Sequence, residues 1–302
     1  MPDGMDRRTL FKTLGVGAGV ASFAALASGA PTRKIKIGET SINWGSRAPD
    51  AEPGIRDCAK LGFWGYEALG VNLETLEAAP GGLGRILDQY QMPLPSTYFN
   101  VNLSDPALRK SEVEKVVRWG KIVRKYGGRI GVLGPNHVNR STYDFKAARP
   151  EILASLNDIG KALADIGMVA SLHQHTDTCV ESHDEVYAVL EAVDTRVVKF
   201  GPDVGQLAKG GSDPVRVLTD FQPLLQSIHL KDYLGGPHWA GYCPLGQGKV
   251  NLPVILDILE KAPLLEYVMV ELDRTPNAPM DPLECARASK EYLIKLGYKF
   301  RV

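Results

Sequence analysis

Residues 172–178 read Leu-His-Gln-His-Thr-Asp-Thr and directly follow the apolar run at 167–171. A short apolar run of this length is typical of a buried strand. Two of the six histidines in the chain, His173 and His175, therefore stand two residues apart at the end of a predicted strand. Because side chains alternate along a strand, both are expected to point to the same side of the sheet.

The same pattern recurs at the next three apolar runs, which end in Asp203, His229 and Glu271. Four successive strand-like segments thus each place a metal-competent side chain at the same end. A single histidine or acid at such a position is more often a hydrogen-bonded group or a helix cap than a metal ligand. Four in succession are hard to explain in that way, and we predict that His173, Asp203, His229 and Glu271 bind a metal ion.

Strand-like and helical segments alternate from about residue 34 to the end of the chain. Eight such units with mostly apolar strands favour a parallel sheet. The roughly 270 residues available suit one α/β barrel, and no GxGxxG motif follows the first strand, which weighs against a dinucleotide-binding fold. We predict an α/β fold over residues 31–302, a (β/α)8 or TIM barrel, with its functional groups at the carboxyl ends of the strands. The predicted strands before residue 167 are 34–40, 65–70, 94–98 and 129–134, and the predicted helices are 53–61, 73–90, 111–126, 150–166, 184–193, 214–225, 252–261 and 282–296.

The N-terminus has the pattern of an export signal. Arg7 and Arg8 precede an apolar, Gly/Ala-rich segment that runs to about Leu26, and residues 28–30 are small, as a signal peptidase requires. A transmembrane anchor or a buried helix is the alternative, but the segment is short and glycine-rich for a bilayer span. We predict a twin-arginine signal peptide over residues 1–30, cleaved after Ala30, and hence a periplasmic or secreted protein without a stable membrane anchor.

Charge and cysteine content exclude several classes of protein. The chain carries 35 basic and 35 acidic residues, whereas nucleic-acid-binding domains usually carry a basic excess. Cys58, Cys179, Cys243 and Cys285 show no CxxC spacing, so a zinc knuckle or a thioredoxin-type motif is excluded. Cys179 and Cys243 form the one pair considered for a disulfide, and four buried free thiols are the favoured interpretation.

The predicted ligands favour a divalent ion of intermediate hardness. A mixture of imidazole nitrogens and carboxylate oxygens suits Mn²⁺, Co²⁺, Fe²⁺ or Zn²⁺ better than Mg²⁺ or Ca²⁺, which prefer oxygen ligands. We predict Mn²⁺, with the other three as alternatives. Such an ion acts as a Lewis acid on a carbonyl and an adjacent hydroxyl, and it makes the intervening C–H more acidic.

The sequence resembles the xylose-isomerase-like barrels, a superfamily of sugar isomerases, epimerases and inosose dehydratases. The resemblance covers the chain from about residue 31 and implies a metal-dependent barrel enzyme whose substrate is a small sugar or polyol. Barrels of this kind are often dimers or tetramers, which leaves a homo-oligomer open. The matching segments are GFWGYE at 62–67, PDVGQ at 202–206, HLKD at 229–232, PLGQGKVN at 244–251 and VE at 270–271.

His173 departs from the pattern of the typical epimerases that the chain resembles. In those enzymes the metal ligands on strands five and eight are both glutamates, which exchange the proton beside the substrate carbonyl. An imidazole that binds a metal has committed its lone pair, so it cannot also act as a base. The run from His173 to His175 is closer to inosose-dehydratase-like members, which remove a proton beside a ketone and expel a β-hydroxyl.

The leading prediction is an exported, metal-dependent isomerase or epimerase that abstracts a proton next to the metal-bound carbonyl of a keto-sugar or polyol. The alternative is a metal-dependent lyase or dehydratase that acts on an inosose or a 3-keto-glycoside. A phosphodiester-cleaving barrel and a non-catalytic carbohydrate-binding barrel are further alternatives. No nucleic-acid partner is expected.

Three residues are the candidates for catalysis. Glu271 is expected to be a ligand that can also act as a base, and His175 is expected to be free for acid–base work. Lys231 would stabilise the charge of an enediolate, while solvent exposure or an ion pair with Asp232 is an equally good interpretation.

The candidates for substrate binding follow other predicted strand ends or lie in the loop at 235–248. An ion pair for Glu67 and simple loop packing for a loop tryptophan are the alternatives. Gln206 stands where DNA-repair relatives carry a further histidine ligand, which argues against a trinuclear site. The full set is Asn43, Trp44, Glu67, Tyr98, His137, Gln206, Asp232, His238 and Trp239, with His238 and Trp239 as the predicted lid.

Overall fold

The computed structural model describes residues 33–276 and 278–302. The predicted signal segment, with Arg7, Arg8 and the cleavage after Ala30, lies outside these residues. Within them, eight strands form one parallel sheet and two short strands form an antiparallel pair. The parallel strands are β1 (Lys36–Thr40), β2 (Tyr66–Leu69), β3 (Ser96–Val101), β4 (Ile130–Pro135), β5 (Val169–Leu172), β6 (Val198–Phe200), β7 (His229–Leu230) and β10 (Tyr267–Val270), and the antiparallel pair is β8 (Asp232–Tyr233) and β9 (Tyr242–Cys243).

The parallel sheet curls until its two edge strands meet. Strands β1 to β6 lie side by side in chain order, and β10 connects β1 to β7. Parallel bridges from Phe200 to Leu225 and from Asp203 to His229 then link the β6 and β7 sides. The predicted TIM-barrel-like fold is confirmed, and it gathers the carboxyl ends of all eight strands at one end of the molecule.

The helices pack on the outside of this sheet. Most lie where the apolar pattern predicts them, but the expected helix at 73–90 is interrupted, because Gly81 adopts a φ of 80° there. In the described part of the chain, none of the helices is both long and apolar enough to cross a membrane. The helices are α1 (Ala48–Leu61), α2 (Gly70–Ala78), α3 (Gly82–Gln89), α4 (Arg109–Lys125), α5 (Phe145–Asp165), α6 (His183–Leu190), α7 (Val204–Lys209), α8 (Pro214–Asp220), α9 (Leu252–Leu259) and α10 (Pro282–Lys295).

Helix α5 illustrates how the sequence determines this outer layer. Ile152, Leu156, Ile159 and Leu163 recur at helical spacing and are all fully buried. Burial of each such side chain contributes roughly 1.5–3 kcal/mol, which fixes the helix against the sheet. Asp144 caps the helix by accepting a hydrogen bond from the amide of Ala147, so the start of the helix is also set locally.

The glycine-rich loop after β9 is held by Asp232. Its Oδ1 accepts hydrogen bonds from the amides of Tyr233 and Val250, and its Oδ2 accepts from Gly246 and Gly248, at 2.8 to 3.1 Å. The carboxylate is buried, and these four amides use its acceptor capacity.

The cysteines of the chain are all buried free thiols. The disulfide considered between Cys179 and Cys243 is therefore not formed, and the prediction of four buried free thiols is confirmed.

Candidate active site

Three of the four predicted ligands converge at the carboxyl end of the barrel. His173 follows β5, Asp203 follows β6, and His229 begins β7. One ligand atom from each lies within 4.8 Å of the others, and all three side chains are buried. The strand-end recurrence in the sequence thus corresponds to a compact group that could hold a metal ion.

His173 presents a free lone pair to this group. Its Nδ1 lies 3.0 Å from the carbonyl oxygen of Gly201 and donates its hydrogen there. Burial, and next the neighbouring His229, hold the pKa of His173 well below its usual range. The ring is therefore neutral, and its Nε2 is buried without a hydrogen-bond partner in the described part of the chain. A buried, unpaired imidazole nitrogen fits a metal ligand.

Asp203 caps a helix, as the alternative from the sequence proposed, and keeps one oxygen directed to the site. Its Oδ1 accepts hydrogen bonds from the amides of Gly205 and Gln206 at 2.8 and 2.9 Å and so caps α7. Its Oδ2 lies 3.0 Å from the ammonium nitrogen of Lys231. The cap orients the carboxylate and leaves the second oxygen available to the site.

His229 lies between two carboxylates. Its Nε2 is 2.7 Å from Oε1 of Glu67, and its Nδ1 is 2.7 Å from Oε2 of Glu271. Burial lowers the pKa of His229, but Glu271 and then Glu67 outweigh it and raise the pKa well above its usual value. A metal ion bound through either nitrogen would displace a hydrogen from this ring.

Lys231 is the charge centre of the site. Its fully buried ammonium nitrogen lies 2.5 Å from Oε1 of Glu271, 3.0 Å from Asp203 and 3.1 Å from Oδ2 of Asp273. Burial lowers the pKa of Lys231, but the three carboxylates raise it well above its usual range. Neither the solvent exposure nor the ion pair with Asp232 considered from the sequence is found, because Asp232 is engaged in its own loop.

Glu271 is shared between Lys231 and His229 rather than grouped with the three candidate ligands. Burial raises the pKa of Glu271, but His229 and Lys231 outweigh it and hold that pKa well below its usual range. Its carboxylate is thus ionised and oriented at both oxygens. Its role as a fourth ligand stays a prediction.

A cavity of about 240 Å³ lies against this cluster. His173 and Glu271 line it, together with four other residues predicted for the site: Glu67, Tyr98, His137 and His175. Asp273 and Asn100 also line it and were missed. Asp273 stands two residues after Glu271, so the spacing rule that pairs His173 with His175 could have found it.

His175 is more constrained than predicted. Its Nδ1 donates to the carbonyl oxygen of Thr176 at 2.8 Å, and its Nε2 accepts from the side-chain amide of Gln206 at 2.7 Å. The Thr176 hydroxyl in turn donates to Oε1 of Gln206 at 2.7 Å. Burial lowers the pKa of His175. Gln206 therefore holds His175 rather than lining the cavity, and His175 must release Gln206 before it can exchange a proton.

Asn43 and Trp44 turn away from the cavity, contrary to expectation. The chain forms a 3-10 turn over Ser41–Asn43 directly after β1. The Asn43 amide donates to the carbonyl of Pro282, and the Trp44 indole donates to Asp57. The turn is the physical reason, since it reverses which side chains face the site.

The three remaining substrate-binding candidates also lie elsewhere. Asp232 is occupied by loop amides, and His238 is exposed outside the cavity. Trp239 lines a separate cavity of about 380 Å³ near Arg274. The lid predicted for His238 and Trp239 does not cover the cluster, because a 3-10 turn at His238–Gly241 leads the chain back into β9.

These features place the chain in a known class of barrels. The family of xylose isomerase-like TIM barrels matches residues 55–296, and the chain belongs to it.

Individual relatives are more distant. The chain is 23% identical over 293 residues to an inosose dehydratase of Clostridium botulinum (strain Alaska E43 / Type E3), covering 86% of this chain and 96% of that one. Its fold is similar to the probable 3-DHS dehydratase AsbF from Bacillus anthracis, with a TM-score of 0.72, 16% identity and coverage of 86% and 99%. It is also similar to the IOLI protein solved with a zinc atom, with a TM-score of 0.72, 15% identity and coverage of 87% and 98%.

We predict that the protein binds one divalent ion through His173, Asp203 and His229. His173→Ala should weaken Mn²⁺ binding by at least about 100-fold, because loss of even a supporting residue costs 10–100-fold. At an Mn²⁺ concentration of about 100 times the dissociation constant, the free energy of unfolding of the wild type should rise by roughly 2.7 kcal/mol. Calorimetric titration and urea unfolding measure the two effects. His238→Ala, at an exposed histidine, is the control, and a wild type that binds none of Mn²⁺, Co²⁺, Fe²⁺ or Zn²⁺ would refute the site.

Lys231→Met should destabilise the metal-free protein by about 3–5 kcal/mol, since it leaves the buried carboxylates of Asp203 and Glu271 without their counterion. Added Mn²⁺ should restore part of that loss, because it binds Asp203, one of the carboxylates that Lys231 neutralises. Urea unfolding with and without the ion gives both values. Lys110→Met, at a side chain that is 91% exposed, should change stability little, and an equally small change at Lys231 would contradict the role assigned to it.

Proposed function

We propose that the protein is a metal-dependent lyase, a dehydratase-type enzyme that removes a proton beside the carbonyl of a keto-sugar or inosose and expels an oxygen substituent from the next carbon. The observation that carries this proposal is the asymmetry of the site. Strand five contributes the neutral imidazole of His173, with its unpaired Nε2, where a two-base exchange would need a carboxylate. The inosose dehydratase among the relatives supports the same class of reaction.

The residues present fit a divalent metal ion, and His173, Asp203 and His229 would hold it. We propose Mn²⁺, with Co²⁺, Fe²⁺ and Zn²⁺ as alternatives, because the donors mix nitrogen and oxygen. When bound, the ion supplies Lewis acidity to the substrate carbonyl and to a neighbouring hydroxyl.

Glu271 is the base that the geometry favours. It lines the cavity, and its carboxylate is oriented by Lys231 at 2.5 Å and by His229 at 2.7 Å. A base held in one orientation next to a cavity loses little freedom when the substrate arrives. Lys231 does not line the cavity, so in this proposal it acts through Glu271, whose ionised carboxylate its ammonium orients.

Elimination then proceeds without any oxidant or reductant. The proton passes from carbon to Glu271, and the electrons of the C–H bond form a carbon–carbon double bond. The C–O bond at the adjacent carbon breaks, and its electrons leave with the oxygen, which takes up a proton. In this proposal His137, which lines the same cavity, delivers that proton, whereas His175 could do so only after releasing Gln206.

Isomerisation or epimerisation, the leading prediction from the sequence, is the second candidate. It shares the first step and differs in returning the proton to carbon. Asp273 is the observation that favours it, because it brings a second carboxylate into the cavity, 3.1 Å from the ammonium of Lys231.

An assay with an inosose in deuterated water separates the two reactions. We expect Mn²⁺-dependent formation of a product lighter by one water, detected by mass spectrometry and NMR. Glu271→Gln should lower kcat by about 10²–10⁴, the usual contribution of a general base, while His238→Ala should retain full activity. Deuterium in recovered substrate or in an isomer, without loss of water, would indicate that the protein is an isomerase and not a lyase. Metal binding without either reaction would indicate a non-catalytic barrel.

We also propose export by the twin-arginine route, which rests on Arg7, Arg8 and the apolar segment that follows. Replacement of both arginines by lysine should retain the protein in the cytoplasm, as cell fractionation would show. An unchanged distribution would refute the proposal.

A further inference from the structure

A second cavity shares a wall with the cavity at the cluster. The first has a volume of about 240 Å³ and the second about 280 Å³. Tyr98, Asn100, His137 and His175 line both. Each cavity alone is smaller than the roughly 300–1,000 Å³ typical of small-molecule sites, whereas the two together reach that range.

The second cavity has a preformed wall of mixed character. Val101 and Pro135 supply apolar surface, and Lys115 supplies a cation on helix α4. The ammonium of Lys115 is 2.5 Å from Glu112 and 5.2 Å from the centre of the Trp119 ring, so its position is fixed. Apolar surface beside a fixed donor suits a ring that carries hydroxyl groups.

His137 lines both cavities, and a hydrogen bond to the backbone fixes the orientation of its ring. Its Nδ1 donates to the carbonyl oxygen of Asp177 at 3.2 Å, and the same oxygen accepts from the amide of Val138 at 3.0 Å. Asp177 has a φ of 63°, in the left-handed region, and its amide donates to Glu181. Such a conformation costs of the order of 1 kcal/mol or more and persists where the surroundings enforce it. Since the carbonyl fixes Nδ1, the exposed ring keeps Nε2 for a ligand.

We propose that the second cavity binds the leaving group of a 3-keto-glycoside, with the oxidised sugar ring at the cluster and the aglycone or second sugar beside Lys115. In this proposal, which rests on the lyase function, Nε2 of His137 protonates the glycosidic oxygen. A single-ring inosose would leave the second cavity unused, because an expelled hydroxyl needs no subsite.

The step balances without a further reactant. Glu271 takes the hydrogen from the carbon between the ketone and the anomeric carbon, and the released electrons form the double bond between these two carbons. The glycosidic C–O bond breaks with its electrons on oxygen, and the Nε2–H of the His137 imidazolium passes its proton to that oxygen. The products are an unsaturated keto-sugar and the free alcohol.

The first test varies the leaving group with the full-length, Mn²⁺-loaded protein. His137→Phe should lower kcat/KM for an alkyl 3-keto-glucoside by about 100-fold or more, because a poor leaving group needs the acid. It should lower kcat/KM for the nitrophenyl analogue by less than about tenfold. Equal losses for both would overturn the role of His137. Unchanged metal binding shows that the variant is folded.

The second test separates the two cavities. Lys115→Met should raise KM for a 3-keto-disaccharide about tenfold, which corresponds to the loss of about one hydrogen bond to a charged group. KM for an inosose should stay unchanged. Lys110→Met on the same helix, whose side chain is 91% exposed, is the matched control. Equal effects on both substrates would overturn the subsite. A wild type that dehydrates an inosose but no 3-keto-glycoside refutes this inference alone, whereas inactivity on both refutes the proposed function as well.

Discussion

The candidate site depends on one buried ammonium group among three carboxylates. Lys231 comes from the segment after β7, Asp203 follows β6, and Glu271 and Asp273 follow β10. Without the cation, three negative groups from the ends of β6 and β10 would repel one another where the dielectric constant is low. A buried ion pair contributes little net stability, but loss of one partner is costly, because the other charges stay buried. The same lysine therefore links the ends of β6 and β10 and balances the charge of the carboxylates, two of which, Glu271 and Asp273, line the cavity.

The sequence predicted the parts of the site that follow from a strand period and a parallel sheet. His173, Asp203 and His229 each stand at the end of an apolar run, and a barrel brings such ends together whatever the loops do. The cavity lining by Glu67 and His175 follows from the same logic. These positions are predictable because each depends on a few neighbouring residues.

The remaining features depend on contacts between distant segments, which no local pattern records. Gln206 engages His175 from 31 residues away, and this contact changes a free acid–base group into a held one. Asn43 leaves the site because of a single 3-10 turn after β1. Asp273 is a different case, since its spacing from Glu271 was visible in the sequence.

Lys231 and Asp232 are neighbours in the chain with separate tasks. Lys231 faces the carboxylate cluster, whereas Asp232 accepts hydrogen bonds from three amides of the glycine-rich loop and from the amide of Tyr233. Deletion of one residue in β7 would move Asp232 to the place of Lys231, so that a carboxylate would enter a group of three carboxylates. Insertion of one residue would move Lys231 to the place of Asp232, so that an ammonium would face the N–H donors of the loop. Either contact is repulsive. The segment is thus constrained in length as strictly as in composition.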